Sequence, residues 1–133
     1  MKTLMAFDSQ SDLIFLGMTI YGPNGSTDAR VILDTGATLT MVRSGVLEAV
    51  GYDLQNLRAN TTIVTGSGVE IVAELQIQKI QALDHEIENM VVLCHDLPEE
   101  SALDGLLGLN FLRKFDIAIT YSDSTLTLTS HSA

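Results

Sequence analysis

The residues best suited to chemistry are those of Ile32-Leu33-Asp34-Thr35-Gly36-Ala37. An acidic residue ends an apolar run and is followed by Thr and then a Gly that can turn sharply. A carboxylate held at such a point is ringed by backbone N–H groups and partly withdrawn from water, which suits general acid–base work. The same residues would also serve as a plain strand ending in which Asp caps a loop. Two further glycine-bearing segments stand out. Leu106-Leu107-Gly108 reads as a buried strand end leading into a helix. Thr65-Gly66-Ser67-Gly68 reads as the tip of a hairpin. Each of these, taken alone, has an ordinary structural explanation.

Other chemistry-bearing residues argue for less. Cys94-His95-Asp96 invites a nucleophile reading. Cys94, however, ends an apolar strand, and adjacent strand residues point to opposite faces, so His95 is poorly placed to serve it. Cys94 therefore reads as a structural thiol. His85, His95 and His131 lack metal-ligand spacing, so no metal or other cofactor is expected. Asp104 reads as a turn residue, with a place along a cleft as the alternative. Glu99-Glu100 reads as a solvated pair of loop charges.

The elements that must position these residues are mostly strands, rich in Val, Ile, Leu and Thr. Leu13 to Tyr21 and Ala29 to Leu33 flank a turn at Gly22-Pro23-Asn24-Gly25, where Pro presets one φ and Asn-Gly accepts positive ones. Thr40 to Val42 is extended. Ser44 to Val50 reads as a helix with Ser44 as N-cap and Gly51 as its stop. Thr61 to Thr65 and Val69 to Gln78 form a second hairpin, with Val69, Ile71, Ala73, Leu75 and Ile77 on one face. Ile87 to Cys94 is a further strand. Pro98 to Ser101 is a polar loop, and Gly105 to Gly108 an apolar strand end. Leu109 to Lys114 is a second short helix. Ile117 to Tyr121 and Thr125 to Thr129 make a third hairpin. The expectation is one all-β domain of about eight strands with two short helices.

Composition agrees and excludes some partners. The 133 residues are 46 % hydrophobic, enough for a core and for one domain. A formal net charge of -10 argues against a nucleic-acid partner. One Cys rules out an internal disulfide. The apolar start of the chain breaks at Asp8, too early for a signal peptide. No stretch approaches the roughly 18 apolar residues of a membrane span. A soluble, cytoplasmic protein is expected.

Taken in order, the Asp34-Thr35-Gly36-Ala37 segment, the Gly-rich hairpin and Leu106-Leu107-Gly108-Leu109-Asn110 resemble the retroviral-type (retropepsin-like) aspartic proteases, in particular their cell-encoded members. The resemblance covers roughly Leu13 to Thr129. It implies an N-terminal segment over 1–12, a retropepsin-like domain over 13–133, and a closed β fold. In that family each subunit supplies one Asp, and the site forms only across a two-fold axis. This chain has one Asp-Thr-Gly and no second copy. The resemblance thus implies a homodimeric endopeptidase acting on polypeptides, in which two Asp34 carboxylates share a proton and activate water. It gives Thr35 and Gly36 places in the catalytic loop, and a flap role to Gly66, Ser67 and Gly68. Ala37, Thr38, Leu106 and Leu109 become substrate-binding positions, with aliphatic residues including Ile32 along the cleft. Retroviral enzymes usually carry a paired Asp and Arg where Thr38 and Leu109 stand, and here both charges are absent together. Thr40 and Asn110 match family positions expected to hydrogen-bond beneath the site. The C-terminal hairpin, Asp116 to Thr129, is longer than the terminal strand of viral enzymes. The alternative function is a non-catalytic peptide-binding or dimerisation module of the same fold.

Overall fold

The computed structural model describes residues 2–57, 59–66 and 68–131. Its first hairpin joins β2 (Phe15–Gly22) to β3 (Gly25–Leu33), in register from Phe15↔Ile32 to Gly22↔Gly25. Gly25 turns the chain with φ 122°, a conformation that favours glycine. Period-two patterning then sends Leu16, Met18 and Ile20 of β2 into the core, beside Ala29 and Val31 of β3.

Six strands close into a barrel. β3 runs parallel to β8 (Gly105–Leu107), and β8 lies antiparallel to β4 (Thr40–Val42). β4 runs parallel to the end of β7 (His85–Cys94), which pairs with β6 (Gly68–Ala82). The inner end of β6 returns to β2 through Met18↔Ala82 to Tyr21↔Lys79, which completes the ring. β5 (Ala59–Thr65) pairs only with β6 among the described strands. Ile20, Val31, Val42, Ile80, Val92 and Leu107 are fully buried inside.

Two helices seal the barrel. α1 (Ser44–Ala49) buries Val46 and Leu47, and α2 (Leu109–Leu112) buries Phe111 and Leu112. Gly51 ends α1 in the left-handed region at φ 98°, and its amide donates to the Glu48 carbonyl. The expected N-cap is corrected. Arg43 occupies that position, while the Ser44 amide and hydroxyl donate to Asp96 at 2.8 and 2.9 Å. Tyr52, just past α1, donates its hydroxyl to the Tyr21 carbonyl at 2.6 Å and accepts from the Gln78 amide at 2.8 Å. That one oxygen ties the helix exit to β2 and β6.

A second sheet of three strands orders as β1 (Lys2–Ala6), β10 (Thr125–Ser130) and β9 (Phe115–Thr120). The strand at Lys2–Ala6 was not evident from the sequence, and neither was the full length of β6. The described strands therefore number ten, more than the eight expected. A second correction concerns the β6 face. Val69 and Ile71 are 68 % and 76 % exposed, whereas Val72, Leu75 and Ile77 are buried. The outer part of β6 has left the barrel, so its faces no longer follow those of the inner part. Among the described residues no helix is long and apolar enough to cross a membrane.

Candidate active site

Asp34 sits where β3 ends against β8. Its amide donates to the Leu107 carbonyl at 3.0 Å, which anchors the residue to the floor of the sheet. Its carboxylate oxygen Oδ1 accepts from the Gly36 amide at 2.9 Å. Its carbonyl accepts from the Ala37 amide at 3.2 Å. The chain thus folds tightly back around the acid. Thr35 and Gly36, at the tip, are exposed, while Asp34 is half-buried.

The loop is held from beneath by the start of α2. Leu109 and Asn110 donate their amides to the carbonyls of Ala37 and Thr38, at 2.8 and 3.2 Å. The Asn110 carboxamide oxygen accepts from both the amide and the hydroxyl of the fully buried Thr40, at 2.8 and 2.9 Å. The Thr40 hydroxyl in turn accepts from the Gly108 amide at 3.0 Å, and the Asn110 amino group donates to the Val91 carbonyl at 2.7 Å. Gly108 has no spare room. A Cβ there would lie 2.8 Å from the Leu39 carbonyl and 2.9 Å from that of Ala37. The Leu-Leu-Gly segment therefore meets the Asp-Thr-Gly loop because glycine permits a close backbone approach.

A cleft of about 680 Å³ opens over Asp34. Gly36, Ala37 and Thr38 form one side of it. Met41, Leu93, Leu97 and Leu106 supply apolar walls, and Thr62, Ile63 and Val64 of β5 overhang it. His95 also lines the cleft, the one basic residue among the described lining residues. Of the candidates from the sequence, Asp34, Gly36, Ala37, Thr38 and Leu106 meet here. Thr35, Leu109, Ile32, Gly66 and Gly68 are not among the lining residues of the single chain. Gly66 and Gly68 lie at the tip of the overhanging hairpin, and Ser67 lies outside the described residues. Sequence reasoning missed the contributions of Met41, Ile63, Leu93 and His95. The alternation of Thr40 to Val42 and of Ile87 to Cys94 marked them as strand residues but not which strands adjoin.

The remaining candidates take structural places. Burial, and then the charges of Asp96 and Glu48, push the Cys94 thiol above its ordinary range, which argues against a nucleophile. Asp104 bridges strands. Its carboxylate accepts from the Arg30 amide at 2.9 Å and pairs with the Arg43 guanidinium at 2.6 Å. Burial would raise its pKa, but these bonds outweigh burial and hold it below the usual carboxylate range. Among the described residues no group of three His, Cys, Asp or Glu side chains is arranged to hold a metal ion.

Comparison with known proteins places this geometry. A crystal structure of a retropepsin-like aspartic protease from Rickettsia conorii superposes with a TM-score of 0.75, over 98 % of this chain and 91 % of that one, at 20 % sequence identity. At that identity the likeness is one of fold. No curated protein matches the chain. The family described as "gag-polyprotein putative aspartyl protease" matches residues 23–114, which hold both the Asp34 loop and the Leu106-Leu107-Gly108 segment. With more than half of its length matched, the chain belongs to this retropepsin-like aspartyl protease family.

Proposed function

We propose that the chain is an aspartic endopeptidase that works as a homodimer, with one Asp34 from each protomer. The observation that carries this reading is a single half-buried Asp34, at the base of an exposed Thr35-Gly36 turn, lining a cleft with apolar walls. One carboxylate per chain makes half of a dyad. The exposed Thr35-Gly36 tip leaves the loop accessible for a second copy to face it. In the dimer, the ionised Asp34 takes a proton from water as the water oxygen attacks the scissile carbonyl. The other Asp34, protonated, donates to the carbonyl oxygen. The tetrahedral intermediate collapses as a proton passes to the leaving nitrogen, so no covalent enzyme intermediate forms. Thr35 bonds across the axis, and the β5–β6 hairpin with Gly66, Ser67 and Gly68 closes over an extended peptide. Ala37, Thr38, Leu106 and Leu109 contact that peptide. The apolar walls favour apolar side chains on both sides of the cut. A cytoplasmic location is consistent with the one cysteine, Cys94, being a free thiol.

The test is incubation of the purified protein with a diverse peptide library at several pH values, beside Asp34→Asn and Asp34→Ala. Cleavage by the wild type that disappears in both variants is expected. Cleavage that persists in them removes Asp34 from the chemistry. Peptide binding without cleavage by the wild type supports the non-catalytic module instead.

A further inference from the structure

The β5–β6 hairpin leaves the barrel at one rung. The β6–β7 ladder runs from Ala82↔His85 to Ala73↔Cys94 and ends there. Past that rung β6 pairs with β5, from Ala73↔Asn60 to Gly68↔Thr65. Two contacts bring the projecting arm back to the body. Val72 packs with Met41 and Leu93 in a small apolar cluster. On the same face of the strand, two residues nearer the tip, Glu70 Oε2 lies 3.6 Å from His95 Nε2.

The position of this pair is what matters. His95 follows the last rung directly, and its amide is fixed to the Val42 carbonyl at 3.1 Å. Its ring lines the cleft that holds Asp34. Glu70 is two residues from Gly68, on the projecting arm beyond that rung. The contact therefore joins the wall of the cleft to the arm above it. Both side chains are only partly exposed, at 25 % and 41 %. Among the described residues, the other charged groups near the ring are acidic or already committed. Asp96 is held by Ser44 and lies near Arg43, which is itself paired with Asp104. Cys94 and Asp96 share a shallow hollow with Glu70 and His95, and Asp34 stands across the cleft.

We propose that His95 and Glu70 form a proton-dependent tether that positions the β5–β6 hairpin over the cleft. The proposal rests on the reading of this hairpin as the flap of a protease. A neutral imidazole offers Glu70 only a weak polar contact, whereas an imidazolium offers a full ion pair. Imidazoles change charge between about pH 5 and 8, so the hairpin is held more firmly in mild acid. His95 and Glu70 are thus positioning residues that act through the flap and take no part in bond breaking.

Hydrogen exchange read by mass spectrometry on the full-length protein tests this without depending on activity. Wild type, His95→Gln and Glu70→Gln are compared over residues 62–72. At about pH 5 the wild-type hairpin should exchange roughly two- to fivefold more slowly than either variant, the range a partly exposed ion pair supports. At about pH 8 the three proteins should agree within error, because imidazoles as a class carry their charge only at lower pH. Equal exchange at the lower pH overturns the tether, as does a wild-type excess that persists undiminished at the higher one. Peptide hydrolysis gives a second arm. A tether raises KM in both variants at the lower pH and leaves kcat nearly unchanged. A rise confined to His95→Gln means that His95 contacts substrate directly, which also overturns the tether. Expected exchange with no hydrolysis by any form rejects the protease reading alone.

Discussion

Thr40 and Asn110 lie 70 positions apart in the chain and meet at one oxygen, the Asn110 Oδ1, which accepts from both the Thr40 amide and its hydroxyl. The hydroxyl passes the connection on to the Gly108 amide. This bond chain fastens the Leu-Leu-Gly segment under the Asp34 loop. The loop thereby gains a fixed floor, although its own tip is exposed. In the proposed two-chain site such a floor would fix the separation of the two acids, on which a shared proton depends.

Thr40→Val keeps the volume and removes the hydroxyl. The Gly108 amide then loses its acceptor in a buried place. The expected cost is about 2 kcal/mol, typical of an unsatisfied buried donor. Urea unfolding measures it. Hydrolysis should fall as well, with kcat more affected than KM. Unchanged stability would mean that another group takes up the amide.

Assembly should govern activity. Each chain carries -10, so a pair carries -20 by doubling. Salt screens that repulsion and mild acid reduces it, and both should strengthen association. Light scattering across protein concentration, read beside specific activity, checks this. A fully active monomer at every concentration would reject the two-chain site.

The two hairpin glycines should differ. Gly68 has φ 124°, a region that side-chain-bearing residues rarely adopt, whereas a Cβ on Gly66 meets open space. Gly68→Val should lower kcat by about tenfold, the rate equivalent of about 1.4 kcal/mol of local strain. Gly66→Ala should leave it nearly unchanged. Strain of that size should also lower the Gly68→Val thermal midpoint by a few degrees, whereas Gly66→Ala should leave the midpoint nearly unchanged. Equal kcat for Gly68→Val and wild type would remove the hairpin tip from turnover.

Acid should weaken the fold through two carboxylates. Asp96 is held below its ordinary pKa first by the Ser44 amide and then by the Ser44 hydroxyl. At Asp104 burial acts upward, but the bonds from Arg30 and Arg43 prevail and the shift is downward. A depressed folded-state pKa stabilises the fold above the unfolded-state value, near 4, and that contribution is lost as pH falls through the folded-state value. Urea midpoints should therefore drop below about pH 4 more steeply in wild type than in the Asp96→Asn/Asp104→Asn double variant. At neutral pH that variant should be less stable by about 1 kcal/mol, in keeping with partly exposed bonds. Parallel pH curves for the two proteins would assign the acid sensitivity elsewhere.

Local signals in the sequence determined a good part of this protein. Gly22-Pro23-Asn24-Gly25 marked the first hairpin, Gly51 marked the end of α1, and Asp34-Thr35-Gly36 marked the candidate site, because turn chemistry and strand periodicity act over a few residues. Tertiary structure alone decided what depends on partners far along the chain. Lys2–Ala6 is a strand because Thr125–Thr129 pairs with it. Ile71 is exposed and Val72 buried because β6 leaves β7 at the Ala73–Cys94 rung, after which Met41 and Leu93 cover only one face. Ser44 bonds Asp96 instead of capping α1, because β7 ends beside β4 and leads Asp96 to it. His95 lines the cleft for the same reason. Period-two patterning says that a strand has two faces. Which of them is buried, and which loops share a cleft, is settled by the neighbouring strand, and only the closed barrel supplies that neighbour.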